Sequence, residues 1–284
     1  MERGDRSRTD AIGVAELEFM RRGGATRLVH LYQRDPLRVL FPAPEANDIA
    51  LAVLLTTSGG LVAGDRLAID IQVGEGAAAH VTAAATEKIY RSTGATTAVA
   101  QHIGVGLGAW LEYLPPETIL FDGVRLRRET RIELAAGAGF LGGSILVFGR
   151  QARGEQLTNG LVNERWEVWH AGALVWGDAL HLDGDIAATI ANPACFAGAA
   201  ACGTLILAPP KADPGAFLDS AREMQARAAA PGLQAGATVV GGLLIARWLA
   251  ADALSLRRAY AELACHLREA AMGLPPRLPR LWHV

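Results

Sequence analysis

The stretch L-T-T-S-G-G-L-V-A-G-D-R-L, Leu55 to Leu67, sets hydroxyls and three glycines ahead of an Asp-Arg pair. Gly59 and Gly64 have the spacing of a phosphate-binding loop. That pattern, G-x-x-x-x-G-K-S/T, needs its lysine to neutralise phosphate and its hydroxyl to hold a metal ion. Here Asp65 and Arg66 follow, and an acid at the lysine position repels phosphate. A dinucleotide fingerprint must open a helix, whereas Leu67, Ile69, Ile71 and Val73 alternate with Ala68, Asp70 and Gln72 as in a half-buried strand. Local physics reads a turn, with the glycines supplying positive φ and Asp65 bonding nearby amides.

Other residues capable of chemistry are scattered. Cys195 and Cys202 are separated by six residues without a C-x-x-C or a paired histidine, and Cys265 and His266 point to different faces of a helix. No G-x-S-x-G elbow occurs. Asp65, Glu112 and Glu155 form an acid/base pair only if the fold brings two of them together. Ion pairing with Arg91 or Arg150 is the plainer role for each.

The elements that must position these residues are mostly strands. From Ile12 to about Leu207, short apolar stretches recur roughly every ten residues, each bounded by Gly or Pro. They include A-H-V-T-A, A-V-A-Q-H-I-G-V, A-W-L-E-Y-L, T-I-L-F, S-I-L-V-F-G-R and E-R-W-E-V-W. This spacing suits a sandwich, a barrel or a β-helix, and no exact repeat marks a regular solenoid. In R-L-R-R-E-T-R-I-E-L the charges at Arg125, Arg127, Glu129, Arg131 and Glu133 alternate less cleanly, which suggests a solvated edge strand. Near the C-terminus Asp213 caps a helix with Pro214 at its first position. A strand through V-V-G-G-L-L-I-A-R-W-L follows. Leu256, Tyr260, Leu263 and Leu267 then form one stripe of a helix over 251–272, stopped by Gly273 and Pro275. The expectation is one mainly β domain over residues 1–284, with two helices near the C-terminus and a disordered segment at 1–11.

Composition narrows the function classes. The 284 residues carry 27 basic and 29 acidic side chains, so no positive field attracts nucleic acid. The polar start M-E-R-G-D-R-S-R-T-D lacks the apolar segment of a signal peptide, and no apolar run is long enough to span a membrane. A cytoplasmic protein is expected.

Five stretches in register carry a family resemblance. They are S-G-G-L-V-A-G-D-R-L (58–67), E-K-I-Y-R-S (87–92), L-E-Y-L-P-P-E-T-I-L-F (111–121), F-G-R-Q-A-R-G-E (148–155) and P-R-L-W (279–282). Together they resemble the urease accessory protein D family, called H in some species. Ala63, Ile89, Tyr113 and Gln151 depart from the usual pattern. The matched positions are Gly59, Gly60, Gly64, Asp65, Lys88, Tyr90, Arg91, Ser92, Glu112, Pro115, Arg150, Gly154 and Glu155.

The resemblance implies an irregular, two-layered β-helix-like fold and a non-enzymatic scaffold for urease maturation. It implies binding to the F-type accessory protein, through it to a GTPase, and to apo-urease, with no tightly bound cofactor. It also implies an internal route for nickel(II), for which Asp65, Glu112 and Glu155 are the expected transient ligands. Asp65 and Arg91 are expected to be more buried than most charged residues. The alternative is a β-helical carbohydrate-active enzyme using paired carboxylates.

Overall fold

A computed structural model describes residues 13–283; the disorder expected for 1–11 lies outside the described residues. In chain order the first strands are β1 (Gly13–Arg22), β2 (Ala25–Arg34), β3 (Leu37–Leu40), β4 (Ala50–Thr56), β5 (Arg66–Val73), β6 (Ala78–Ala83), β7 (Glu87–Ile89) and β8 (Thr97–Val105). Next come β9 (Trp110–Tyr113), β10 (Thr118–Leu120), β11 (Val124–Leu134), β12 (Gly139–Phe148), β13 (Asn159–His170) and β14 (Ala173–Asp185). The chain continues through helix α1 (Ile186–Ala191), β15 (Ala201–Ala208), α2 (Leu218–Arg227), β16 (Leu233–Val240), β17 (Leu243–Ala250) and α3 (Ala253–Met272).

The strands form two sheets. The first runs β14-β13-β11-β8-β5-β1-β2 and the second β16-β17-β15-β12-β9-β6-β4-β3, with β10 between β12 and β7. The chain passes from one sheet to the other and back, so β5, β8, β11 and β13 stack in parallel in the first while β4, β6, β9 and β12 do so in the second. This solenoid-like stacking makes a two-layered β-helix-like fold, as the resemblance implied. Antiparallel strands finish both ends of each sheet.

Inward Leu, Val and Ile from both sheets fill one core, including Leu17, Ile71, Ile103, Leu126 and Val162. A second core lies between the other face of the second sheet and the helices, and there Leu256, Tyr260, Leu263 and Leu267 are buried, as their spacing predicts. Asp213 accepts a hydrogen bond from Gly215 N and starts a 3-10 turn over Pro214–Phe217 that leads into α2. Asp252 caps α3, and Gly273 ends it at φ 64°. Among the described residues no helix is long and apolar enough to cross a membrane.

Three sequence expectations are corrected. The stretch R-L-R-R-E-T-R-I-E-L is β11, an interior strand between β8 and β13, and its burial alternates cleanly. Its pattern looked irregular because Arg128 occupies an inward position normally given to an apolar residue. V-V-G-G-L-L-I-A-R-W-L is a hairpin: Gly241 and Gly242, at φ 59° and 77°, make the tight turn between β16 and β17. The short helix α1 was not foreseen; Asp185 caps it by accepting from Ala188 N.

The terminal P-R-L-W is an anchor. Trp282 is buried, stacks on Tyr260 with centroids 5.9 Å apart, and donates from Nε1 to Leu114 O at 3.1 Å. Arg257 donates to Trp282 O at 2.6 Å. Trp282→Ala is expected to destabilise the protein by about 3–5 kcal/mol, measured by urea unfolding; a loss below about 1 kcal/mol would show that the tail does not support the helical layer.

Candidate functional site

The interior is organised around Arg128. Register sets it beside Glu164 of β13, and both side chains point between the sheets. Arg128 Nη2 donates to Glu164 Oε2 at 2.7 Å. Across the gap, Nη1 donates to Thr118 Oγ1 of β10 at 2.9 Å and lies 3.7 Å from Glu87 Oε2 of β7. Trp166 Nε1 donates to Glu164 Oε1 at 2.9 Å. Next to this group Thr130 donates to Gln101 Oε1, and Gln101 Nε2 donates to the Tyr113 hydroxyl at 2.6 Å.

Burial by itself raises a carboxyl pKa. For Glu164 the Arg128 charge and the Trp166, Arg128 and Ser144 hydrogen bonds outweigh burial and hold it below the ordinary value. For Glu87 burial wins over Arg128, with the Glu164 charge adding to it, so its carboxyl is raised. The three groups therefore behave as one guanidinium paired firmly with Glu164 and a second carboxyl that keeps its proton longer.

Two cavities share Ser144 and Trp166 in their walls at this point. One, of about 260 Å³, is walled by Gly59, Gly60, Glu87, Lys88, Pro115 and Arg128 among others. The other, of about 480 Å³, is walled by Glu164, Asp178, Cys195, Cys202, Thr204 and Arg247 among others. Burial pushes the Cys202 thiol up to about 12, so it faces its cavity uncharged. Gly60 belongs to the first wall for a steric reason. At φ 152°, a Cβ there would lie 2.5 Å from the Tyr90 ring and 2.8 Å from Lys88 O.

The matched motifs converge on the corner where β7, β10 and β12 end. Tyr90 packs edge-on to Phe121, and the Arg150 guanidinium lies over the same ring at 4.5 Å. Arg150 pairs with Glu155, whose other oxygen accepts from Asp122 N at 3.2 Å. Gly154, at φ 71°, turns the chain to allow that pair. Ser92 Oγ donates to Ala95 O, and Lys88 is exposed. Gly59 and Gly64, at φ 72° and 87°, shape the turn, and Asp65 Oδ2 accepts from Val62 N at 2.8 Å.

Asp65 is half-buried and not fully buried, because its work is to close a surface turn ahead of β5. Arg91 corrects the burial expectation outright: its side chain is 69% exposed and reaches outward to Asp122.

Glu112 lies elsewhere, wholly buried on β9 beneath α3. It accepts from Arg268 Nε at 3.0 Å and Trp110 Nε1 at 3.1 Å, and His80 Nδ1 lies 2.8 Å from its other oxygen. Burial would raise its carboxyl, yet His80 and Arg268 bring it below the ordinary value. Arg268 also donates to Asp48, Pro275 O and Arg277 O, clasping the chain after α3 to the second sheet.

Asp65, Glu112 and Glu155 thus each have different partners, and none of them lines either cavity. The carboxylates that do are Glu87, Glu164 and Asp178, which sequence reasoning passed over. A signal existed: Arg127 and Arg128 are adjacent in an alternating strand, so one of them must face inward and require an acid. Among the described residues no three His, Cys, Asp or Glu side chains gather as a metal-binding group.

Known proteins match almost the whole length of the chain. The family model for UreD urease accessory protein matches residues 11–283. A urease accessory protein UreD of Magnetococcus marinus is 44% identical over 274 residues, covering 96% of this chain and 94% of that protein. One from a Methylobacterium species is 44% identical over 262 residues, covering 92% and 90%. One from Rhodopseudomonas palustris is 40% identical over 272 residues, covering 96% and 93%.

The Glu112–Arg268 pair has a defined pH signature. A carboxylate with a lowered folded pKa stabilises the fold above its ordinary value of 4.5, and that contribution is lost as pH falls through the folded value. Arg268→Met should cost about 3–5 kcal/mol at neutral pH, because it leaves the buried Glu112 charge with His80 and Trp110 but without its guanidinium. The deficit should shrink in mild acid as Glu112 takes a proton. Urea unfolding at the two pH values measures this; a deficit independent of pH would mean that the loss is packing alone.

Proposed function

The chain belongs to the UreD family of urease accessory proteins, and from that membership and the interior of its fold we propose that it is a cytoplasmic urease-maturation scaffold offering nickel(II) a route towards apo-urease. It carries out no turnover itself. It binds the F-type accessory protein, through it the GTPase, and apo-urease. Exposed Leu31 and Tyr32 on β2, with Leu40 and Phe41 at the end of β3, give the terminal strands of both sheets apolar surface for such partners.

The observation that carries the nickel reading is the pair of cavities that share Ser144 and Trp166 and that have carboxylates among their mainly apolar walls. An ion that must be handed on needs scattered oxygen ligands and water, since a closed thiolate or imidazole cage would retain it. Glu87, Glu164 and Asp178 present such oxygens to the cavities. We assign them the transient-ligand role in place of Asp65, Glu112 and Glu155, whose carboxylates hold a turn, a buried clasp and a surface corner.

The test is a reconstitution from apo-urease, the partner proteins and nickel(II), with and without this chain. Nickel loading of urease should require the chain. Joint Glu87→Gln and Asp178→Asn substitution should cut loading by about tenfold while gel filtration shows the complex intact. Full loading by that variant would sink the route through these cavities; loss of the complex would recast both acids as structural.

A further inference from the structure

The two cavities share wall residues, yet a charged group stands where they come together. Arg128 lines the smaller cavity and Glu164 the larger, and the 2.7 Å bond between them spans the boundary. The guanidinium also reaches towards Glu87 and Thr118 of the opposite sheet, so it extends from one layer to the other. Its Nε is buried with no hydrogen-bonding partner, although the side chain lines the smaller cavity.

We propose that Arg128 is a gate: it occupies, as a resident cation, the oxygen-lined position that a divalent metal ion must take to pass from one cavity to the other. This deepens the nickel-route reading and rests on it. The chemistry is competition for the same oxygens. Glu164 and the Thr118 hydroxyl accept hydrogen bonds from the guanidinium, Glu87 lies 3.7 Å from it, and the same three oxygen ligands suit a hard or borderline divalent cation. While Arg128 is in place, the carboxylates are neutralised and the boundary is closed to cations by both bulk and charge. When an arriving ion engages Glu87, Arg128 loses one of its two anions and can yield. After the ion leaves, the guanidinium re-forms its bond to Glu164 and ejects any ion that would otherwise stay. Arg128 is therefore a positioning residue that keeps the site weak.

Removing the resident cation should turn a transit point into a trap. Arg128→Met keeps an unbranched apolar stem but leaves Glu164 and Glu87 without their counter-ion. With nickel(II) alone as the probe, the full chain in complex with its partner should then bind about tenfold more tightly than wild type and retain roughly one ion per chain through gel filtration. Transfer of nickel to urease should slow in step. Arg128→Lys, which restores the charge, should release the ion as wild type does; rescue of this kind separates a charge effect from a packing defect.

Nickel binding by Arg128→Met no tighter than wild type would overturn the gate. Tight retention combined with undiminished loading of urease would keep the site at Arg128 and overturn the route through it, so the two readings fail separately. If Arg128→Met does not fold, Arg128→Gln, which keeps a polar amide in place of the guanidinium but removes the charge, carries the test. It should retain nickel(II) through gel filtration as Arg128→Met is expected to. A folded Arg128→Gln that binds nickel(II) no more tightly than wild type would overturn the proposal.

Discussion

In-register parallel pairing of the coils is the constraint on which the rest of the molecule depends. Because β8, β11 and β13 lie side by side without a slip, each inward position of one strand meets the inward position of the next. Glu164 can therefore be supplied to Arg128 by register alone, and Gln101 to Thr130 in the same manner. A one-residue slip of β13 would turn Glu164 outward and leave the guanidinium buried without its anion. The buried polar row and the register thus enforce one another.

The two cores have different characters for a related reason. Between the sheets, each layer offers only the side chains its strands direct inward, and where these are Arg128, Thr130, Gln101 and Glu164 the layers do not close completely. Space remains beside hydrogen-bonded polar groups, which is where cavities suited to water and ions are found. Between the second sheet and the helices, Leu, Ala and aromatic side chains pack together, and in the charged exception, Arg268 with Glu112, the guanidinium is saturated by backbone and side-chain acceptors. One buried ion pair fastens an element; the other borders space.

The five matched stretches divide between these duties. The 58–67 and 87–92 segments wall the smaller cavity, while Arg150, Gly154 and Glu155 shape the solenoid corner with Phe121 and Tyr90. Pro279 to Trp282 anchor the C-terminal tail against Tyr260 and Leu114. Of the 111–121 stretch, Tyr113, Pro115 and Thr118 also wall the smaller cavity, while Glu112 sits apart, below α3.

What the amino-acid order determined by itself was local and periodic. Alternation marked β5, helical spacing marked the buried stripe of α3, Asp213 marked the start of a helical segment, and the register of short motifs marked the family. The first three depend on residues within about a dozen positions of one another, and the last on the order of five short stretches along the chain. The site did not. Arg128 and Glu164 are 36 residues apart, Glu112 and Arg268 are 156 apart, and only coil stacking and helix docking make them neighbours. Among the acids within recognisable motifs, Asp65 and Glu155 proved to be turn and corner residues and Glu87 a cavity-facing one, while the cavity-facing Glu164 lies outside every motif. Whether a carboxylate holds a turn, a helix or an open interior is set by what faces it across the sheets, and that is a property of the tertiary fold.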